Sequence, residues 1–219
     1  MQIVLQFKKT GFLRFLSGIE TSNAIVKLLR RANLPMEYSQ GFNPQPKVSF
    51  LDSAPTGVID LALFVGVKLR EPVPQEFAEF DTETIKRRIN DVSLKNLSLE
   101  RVFVSDIDLN KAATHFEYTL ICREKPNLAE RLRKHSGKEF VPMEVVEDLQ
   151  IILKGKLYVV KYKVGRSNLF NPYLVHGVFL AIRRRAFAGG KDLVEVLGES
   201  ANQLRSDAVG SHNIRRDKA

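Results

Sequence analysis

Cysteine is almost absent from this chain of 219 residues: Cys122 stands alone, tryptophan does not occur, and there are only four histidines. A single thiol excludes a disulfide framework, a cysteine zinc site and an iron–sulfur cluster, which needs about four thiolates. His115, His135, His176 and His212 are scattered without metal-ligand spacing, and the chain has no nucleophile elbow, P-loop or dinucleotide fingerprint. Long apolar runs are lacking too. Val58 to Leu69 is broken by Asp60, and Tyr173 to Ile182 by His176, far short of the roughly 20 residues a spanning helix needs. The opening MQIVLQFKKTG reads as a strand without a basic leader or cleavage site. The expectation is a soluble protein in the reducing cytoplasm, without cofactor or metal.

What is present in excess is positive charge, with 34 Lys and Arg against 25 Asp and Glu, a formal +9. Residues 1–110 hold 14 basic and 13 acidic side chains, and residues 111–219 hold 20 and 12. From Leu149 to Lys191 there is no acidic residue, while Lys154, Lys156, Lys161, Lys163, Arg166, Arg183, Arg184, Arg185 and Lys191 all occur. Such asymmetry suggests a polyanion partner.

The periodicity is that of an α+β protein. Gln2 to Lys8 reads as a strand. Ser17-Gly-Ile-Glu20 is a capping box opening a helix with Ile25, Leu28, Leu29 and Ala32 on one face, stopped by Asn33-Leu-Pro35. Met36 to Leu51 reads as a strand, a sharp turn and a second extended segment. Asp60 to Leu69 follows as a strand, Pro74 to Asn90 as a helix carrying Phe77, Phe80, Ile85 and Ile89, and Leu97 to Val104 as a strand. This order is βαββαβ, a ferredoxin-like module.

The second half reads the same way. His115 to Cys122 is a strand, Asn127 to His135 a short basic helix, and Val145 to Leu153 with Lys156 to Val164 a hairpin. Asn171-Pro172 reads as the start of a helix bearing Leu174, Val178 and Ile182, ended by Gly189-Gly190. Asp192 to Leu197 is a closing strand or, alternatively, a helix running to Leu204. The expected architecture is two ferredoxin-like modules in tandem, residues 1–108 and 109–199, with a mobile polar tail over 200–219.

At Arg14-Phe-Leu-Ser17, Leu28-Leu-Arg-Arg-Ala32, Leu34-Pro35, Tyr38-Ser-Gln-Gly-Phe-Asn-Pro44 and Pro46-Lys47-Val-Ser-Phe50, the chain resembles the radical-SAM-linked protein family of bacteria. The resemblance is specific over roughly residues 5–70. It implies an accessory role beside a radical-SAM enzyme, in RNA or ribosome biology. Family members commonly carry one histidine after the RFLS segment and another in the loop, where this sequence has Gly18 and Gln45. Any chemistry those histidines perform is missing here.

Two features are candidates for binding. In the loop Ser39, Gln40, Gly41, Phe42, Asn43, Pro44, Gln45, Pro46, Lys47, glycine permits positive φ and the prolines stiffen the backbone. It reads either as a recognition loop, with Phe42 stacking and Asn43 and Lys47 meeting phosphate or base, or as a rigid turn plugged by Phe42. In the acid-free stretch, Lys161 and Lys163 share one strand face, with Tyr158 and Tyr162 on the other, and Arg183-Arg-Arg185 would end a helix.

The expected RNA-binding set is Arg14, Phe42, Asn43, Lys47, Lys161, Lys163, Arg166, Arg183, Arg184 and Arg185, in a non-enzymatic RNA-binding protein with a radical-SAM partner. The alternatives are a metal-independent RNA endonuclease using His176, Tyr173 and Lys163, and a protein-interaction subunit. Asp106, Asp108, Asn110 and Glu117 follow the order of a calcium loop, but Lys111 holds the required glycine position, so a connector is the better reading.

Overall fold

The chain is described by a computed structural model over residues 1–71 and 81–202. Its alternating and β-branched segments become strands of one mostly antiparallel sheet. The first half supplies β1 (Gln2–Lys9), β2 (Val48–Phe50), β3 (Ile59–Lys68) and β4 (Leu97–Val104). The second half supplies β5 (His115–Cys122), β8 (Val146–Lys154), β9 (Leu157–Gly165), β10 (Val178–Ala188) and β11 (Lys191–Asp192), while β6 (Leu132–Arg133) and β7 (Glu139–Phe140) pair separately. The main order is β4-β1-β3-β10-β5-β9-β8, with β2 on β3 and β11 on β10.

In the first half the expected order of elements holds, but the strand read from Met36 is reduced to single bridges, Met36 with Leu69 and Tyr38 with Pro46, and the helix read from Pro74 is described from Thr82. The Ser17–Glu20 capping box opens α1 (Gly18–Arg31), and the Asp81 side chain, accepting from the Thr84 amide at 2.6 Å, caps α2 (Thr82–Asp91). Phe77 and Phe80 lie outside the described residues. α1 and α2 bury Ile25, Leu28, Leu29, Ile85 and Ile89 against Ile3, Leu5, Phe7, Val65 and Val67, forming one core. The opposite face of the sheet carries the other core, which runs from Val4 and Phe64 to Phe116, Tyr118, Leu120 and Tyr162.

The second half departs from the expected βαββαβ order. Asn171 does cap, accepting from the Tyr173 amide at 3.1 Å, but only one turn follows before Gly177, at φ +80°, ends it. The expected helix is instead strand β10, paired with β5 on one side and β3 on the other. The spacing of Leu174, Val178 and Ile182 is compatible with a helix, yet two neighbouring strand edges outweigh local preference. Likewise Asn127 to His135 is not helical. Asn127 caps the Ala129 amide at 3.2 Å, and the chain then forms the β6–β7 hairpin around Gly137 at φ +86°. Gly189 and Gly190, both at positive φ, turn β10 into the short β11. Asp192 then accepts from the Val194 amide at 2.9 Å and opens a helix over 193–202 (α3), the helical alternative. Residues 203–219 of the expected tail lie outside the described residues.

The halves meet through the segment 51–58. The Asp52 carbonyl accepts from Arg183 Nη1 at 2.5 Å, and its carboxylate takes Arg166 Nε at 2.5 Å and Nη2 at 3.1 Å. The Tyr173 hydroxyl donates to the Gly57 carbonyl at 2.8 Å and accepts from the Ala181 amide at 3.3 Å.

Candidate functional site

Alternation along β5, β9 and β10 decides which cations reach solvent. Phe116, Tyr118, Leu120, Val160, Tyr162 and Val164 face the core, so Glu117, Thr119, Lys161 and Lys163 share the other face. Lys161 stands opposite Thr119, Lys163 opposite Glu117, and Arg185 opposite Glu117 from the other side. The β10 register shifts between Arg183 and Arg185. This bulge puts consecutive arginines in different settings, as bulges do.

Arg183 points inward. Its guanidinium is wholly buried against Asp60 and lies over the Phe116 ring at 4.7 Å. Burial by itself lowers an arginine pKa, but the Asp60 charge and hydrogen bonds outweigh it and hold Arg183 cationic. Tyr118 beside it is pushed up to about 12, chiefly by burial. Arg183 therefore offers nothing to a phosphate. Arg166 is likewise engaged, with Asp52 on one edge and Asn110 on the other, its Nη2 donating to Asn110 Oδ1 at 3.2 Å.

The stretch that lacks acids in sequence acquires them in space. Lys163 pairs with Asp148 at 2.8 Å, Arg185 lies 3.5 Å from Glu117 and 3.9 Å from Asp192, and Lys191 meets Glu199 at 3.1 Å. Lys154, Lys156, Lys161 and Arg184 form no ion pair among the described residues. Arg184 is held by a neutral partner, its Nε donating to Thr119 Oγ1 at 3.3 Å.

Two polar clefts adjoin at Arg185. One is lined by Glu117, Asp148, Gln150, Lys161, Lys163 and Arg185. The other, of about 230 Å³, is lined by Gln6, Phe64, Arg101, Arg184, Arg185 and Asp192 among others. Arg101 and Gln6 were not among the sequence candidates. Arg101 sits in an ordinary alternating strand, and only its register opposite Gln6 brings it here.

The loop lies elsewhere. Ser39 and Gln45 close it by two hydrogen bonds of 2.8 and 3.0 Å, Tyr38 bridges Pro46, and Lys47 pairs with Glu37. Gly41 takes φ +142°, as the sequence suggests. Gln40, Gly41, Phe42, Asn43 and Pro44 are exposed at its tip, and Phe42 is fully exposed, so it plugs nothing. β2, which leaves the loop, pairs at Val67, whereas β10 meets β3 at Ile59. The second cleft does reach Phe64, three residues along β3 from Val67, but none of Ser39 to Lys47 lines either cleft. Loop and cationic clefts do not share one cavity. Arg14 is apart from both, over the Phe15 ring at 4.6 Å, with its carbonyl accepting from the Gly57 amide at 2.8 Å.

The nuclease candidates are not assembled. Tyr173 is spent on backbone, His176 is exposed 3.6 Å from Glu124, and Lys163 stands on the far face of the sheet. Among the described residues no group of three or more His, Cys, Asp or Glu could hold a metal ion, and no helix is long and apolar enough to cross a membrane.

This fold and these clefts define a mixed α/β protein whose large, mostly antiparallel sheet carries a cationic face. Residues 2–162 match the bacterial family described as "uncharacterized protein conserved in bacteria" (DUF2344), and the chain belongs to that family. The match carries no link to radical-SAM chemistry. None of the curated proteins compared with it matches.

Proposed function

We propose that this chain is a non-enzymatic RNA-binding accessory protein that works beside a radical-SAM enzyme, and that RNA runs along the two adjoining clefts. One observation carries this reading: Arg185 belongs to both clefts, so Lys161, Lys163, Arg185, Arg184 and Arg101 line a single path from β9 over β5 and β10 and, past Phe64 on β3 and Gln6 on β1, to β4. A row of cations at strand spacing suits successive phosphates, and Gln150 beside them offers a neutral hydrogen-bonding group. The radical-SAM partner rests on the resemblance at residues 5–70, and the exposed Phe42 loop, which lines neither cleft, is the natural surface for it.

Titration of labelled structured RNA between 50 and 200 mM salt tests the RNA contact. Each neutralised phosphate contributes about −0.7 to −0.9 to the log–log slope. Replacing Lys161, Arg184 and Arg185 together by Ala should lower affinity and flatten that slope with an unchanged unfolding midpoint, because these side chains are exposed. Absence of binding at low salt overturns the reading. Co-purification with a radical-SAM enzyme that persists after nuclease treatment, without RNA affinity, would assign the chain as a protein-interaction subunit instead.

A further inference from the structure

The cleft where β10 leaves β3 contains more organised chemistry than a general phosphate track requires. Arg101 Nη1 donates to Gln6 Oε1 at 3.1 Å, while Gln6 Nε2 donates to the Leu61 carbonyl at 3.0 Å, so a side chain only 7% exposed fixes that guanidinium. Thr119, 3% exposed, does the same for Arg184 through the 3.3 Å bond to Nε. Both arginines are therefore oriented by buried neutral groups rather than by carboxylates, and neither forms an ion pair among the described residues. Each keeps guanidinium N–H groups without a protein acceptor, lining the same cavity of about 230 Å³. Arg185 stands at the rim with its charge already met by Glu117 and Asp192, and the Asp192 carboxylate is engaged at the start of α3.

We infer that this cleft is a phosphate-monoester pocket in which Arg101 and Arg184 grip the terminal phosphate of an RNA chain. Two uncompensated cations match a monoester, whose charge is about −1.5 to −2 at neutral pH, better than an internal diester with a single charge. Planar guanidinium edges held in place in advance suit the oxygens of a terminal group, since little side-chain freedom is lost on binding. The inference rests on the proposed RNA reading for its ligand and on the two arginines for its chemistry, and the two can fail separately.

The test compares short RNAs of one sequence carrying a terminal phosphate or a terminal hydroxyl at constant ionic strength, with R101Q and R184Q variants alongside. The phosphorylated RNA should bind about tenfold more tightly. Each variant should lose that preference and bind both RNAs alike, more weakly and with a shallower salt slope than the wild type, at an unchanged unfolding midpoint. Equal affinity for the two RNAs overturns the pocket and leaves the RNA reading standing. If no RNA binds, inorganic phosphate at matched ionic strength serves as the probe. A rise in unfolding midpoint that is lost in R184Q supports the pocket as a site for a free phosphate monoester, and no rise overturns it.

Discussion

Arg183 and Asp60 form a bidentate pair shut away from solvent, 2.9 Å from Nε to Oδ1 and 2.5 Å from Nη2 to Oδ2, at the place where β10 runs parallel beside β3. The bond joins the two halves of the sheet within the core that both share. Removing one partner leaves a buried charge uncompensated, which costs about 3–5 kcal/mol. Asp60→Asn and Arg183→Met should each lower stability to urea by that order. The double variant Asp60→Leu/Arg183→Met should regain much of the loss, since two apolar side chains need no partner. If the double variant is as unstable as the sum of the singles, the pair is not the joint described here.

Gly18 occupies the position where the resembling family commonly has histidine. A β-carbon there would lie 2.7 Å from Ser53 Oγ and 2.9 Å from Ser53 Cβ, too close for any side chain unless Ser53 gives way. Gly18→Ala should therefore destabilise by about 1–3 kcal/mol, the ordinary cost of overpacking. Ser53→Gly in the same chain should relieve most of it. A thermal-unfolding cycle of the two single variants and the double checks this, and additive losses would mean that Ser53 is not the obstacle.

Lys9 is buried at the end of β1, its Nζ donating to Thr21 Oγ1 at 3.1 Å and to the Leu16 carbonyl at 3.2 Å. Burial depresses its pKa below the ordinary 10.5, and the nearby Asp60 charge opposes this only in part. Between the depressed folded value and 10.5, the unfolded chain holds the proton that the folded chain has lost. Stability contributed by this group therefore rises with pH across that window. The difference in urea midpoint between the wild type and Lys9→Met should shift in favour of the wild type as pH is raised towards 10.5, whereas a flat difference would contradict the assignment.

The outcome at Asn171 and at Leu97–Val104 shows what the sequence could disclose. Leu97–Val104 and His115–Cys122 are strands with the bounds their patterns suggest, because one buried face enforces period two. The capping signal at Asn171 was genuine, yet it specified one turn, and the fate of residues 178–188 depended on partners 60 and 120 residues away in the chain. The candidate site divides in the same way. Lys161 and Lys163 opposite Tyr158 and Tyr162 could be read from alternation. Arg183 could not be distinguished from Arg184 and Arg185, because a bulge decides which of three adjacent arginines turns inward. Asp60 interrupting an apolar strand was the one sequence sign that a buried cation was needed.

Cys122 closes β5 with no solvent exposure, its side chain in the core shared by both halves. Burial raises its thiol pKa to about 11, so at pH 8 the nucleophilic thiolate is scarce and the sulfur is also shielded. An aromatic disulfide reagent should leave native protein unmodified over a period in which urea-unfolded protein reacts completely, and the native rate should follow opening of the structure. Because β5 lies between β9 and β10, the sulfur reports on the middle of the sheet. Asp60→Asn should accelerate labelling in step with its loss of stability, whereas R101Q, at the exposed edge, should leave the rate unchanged. Rapid labelling of the native chain at pH 8 would place Cys122 at an accessible surface and contradict the packing of this strand.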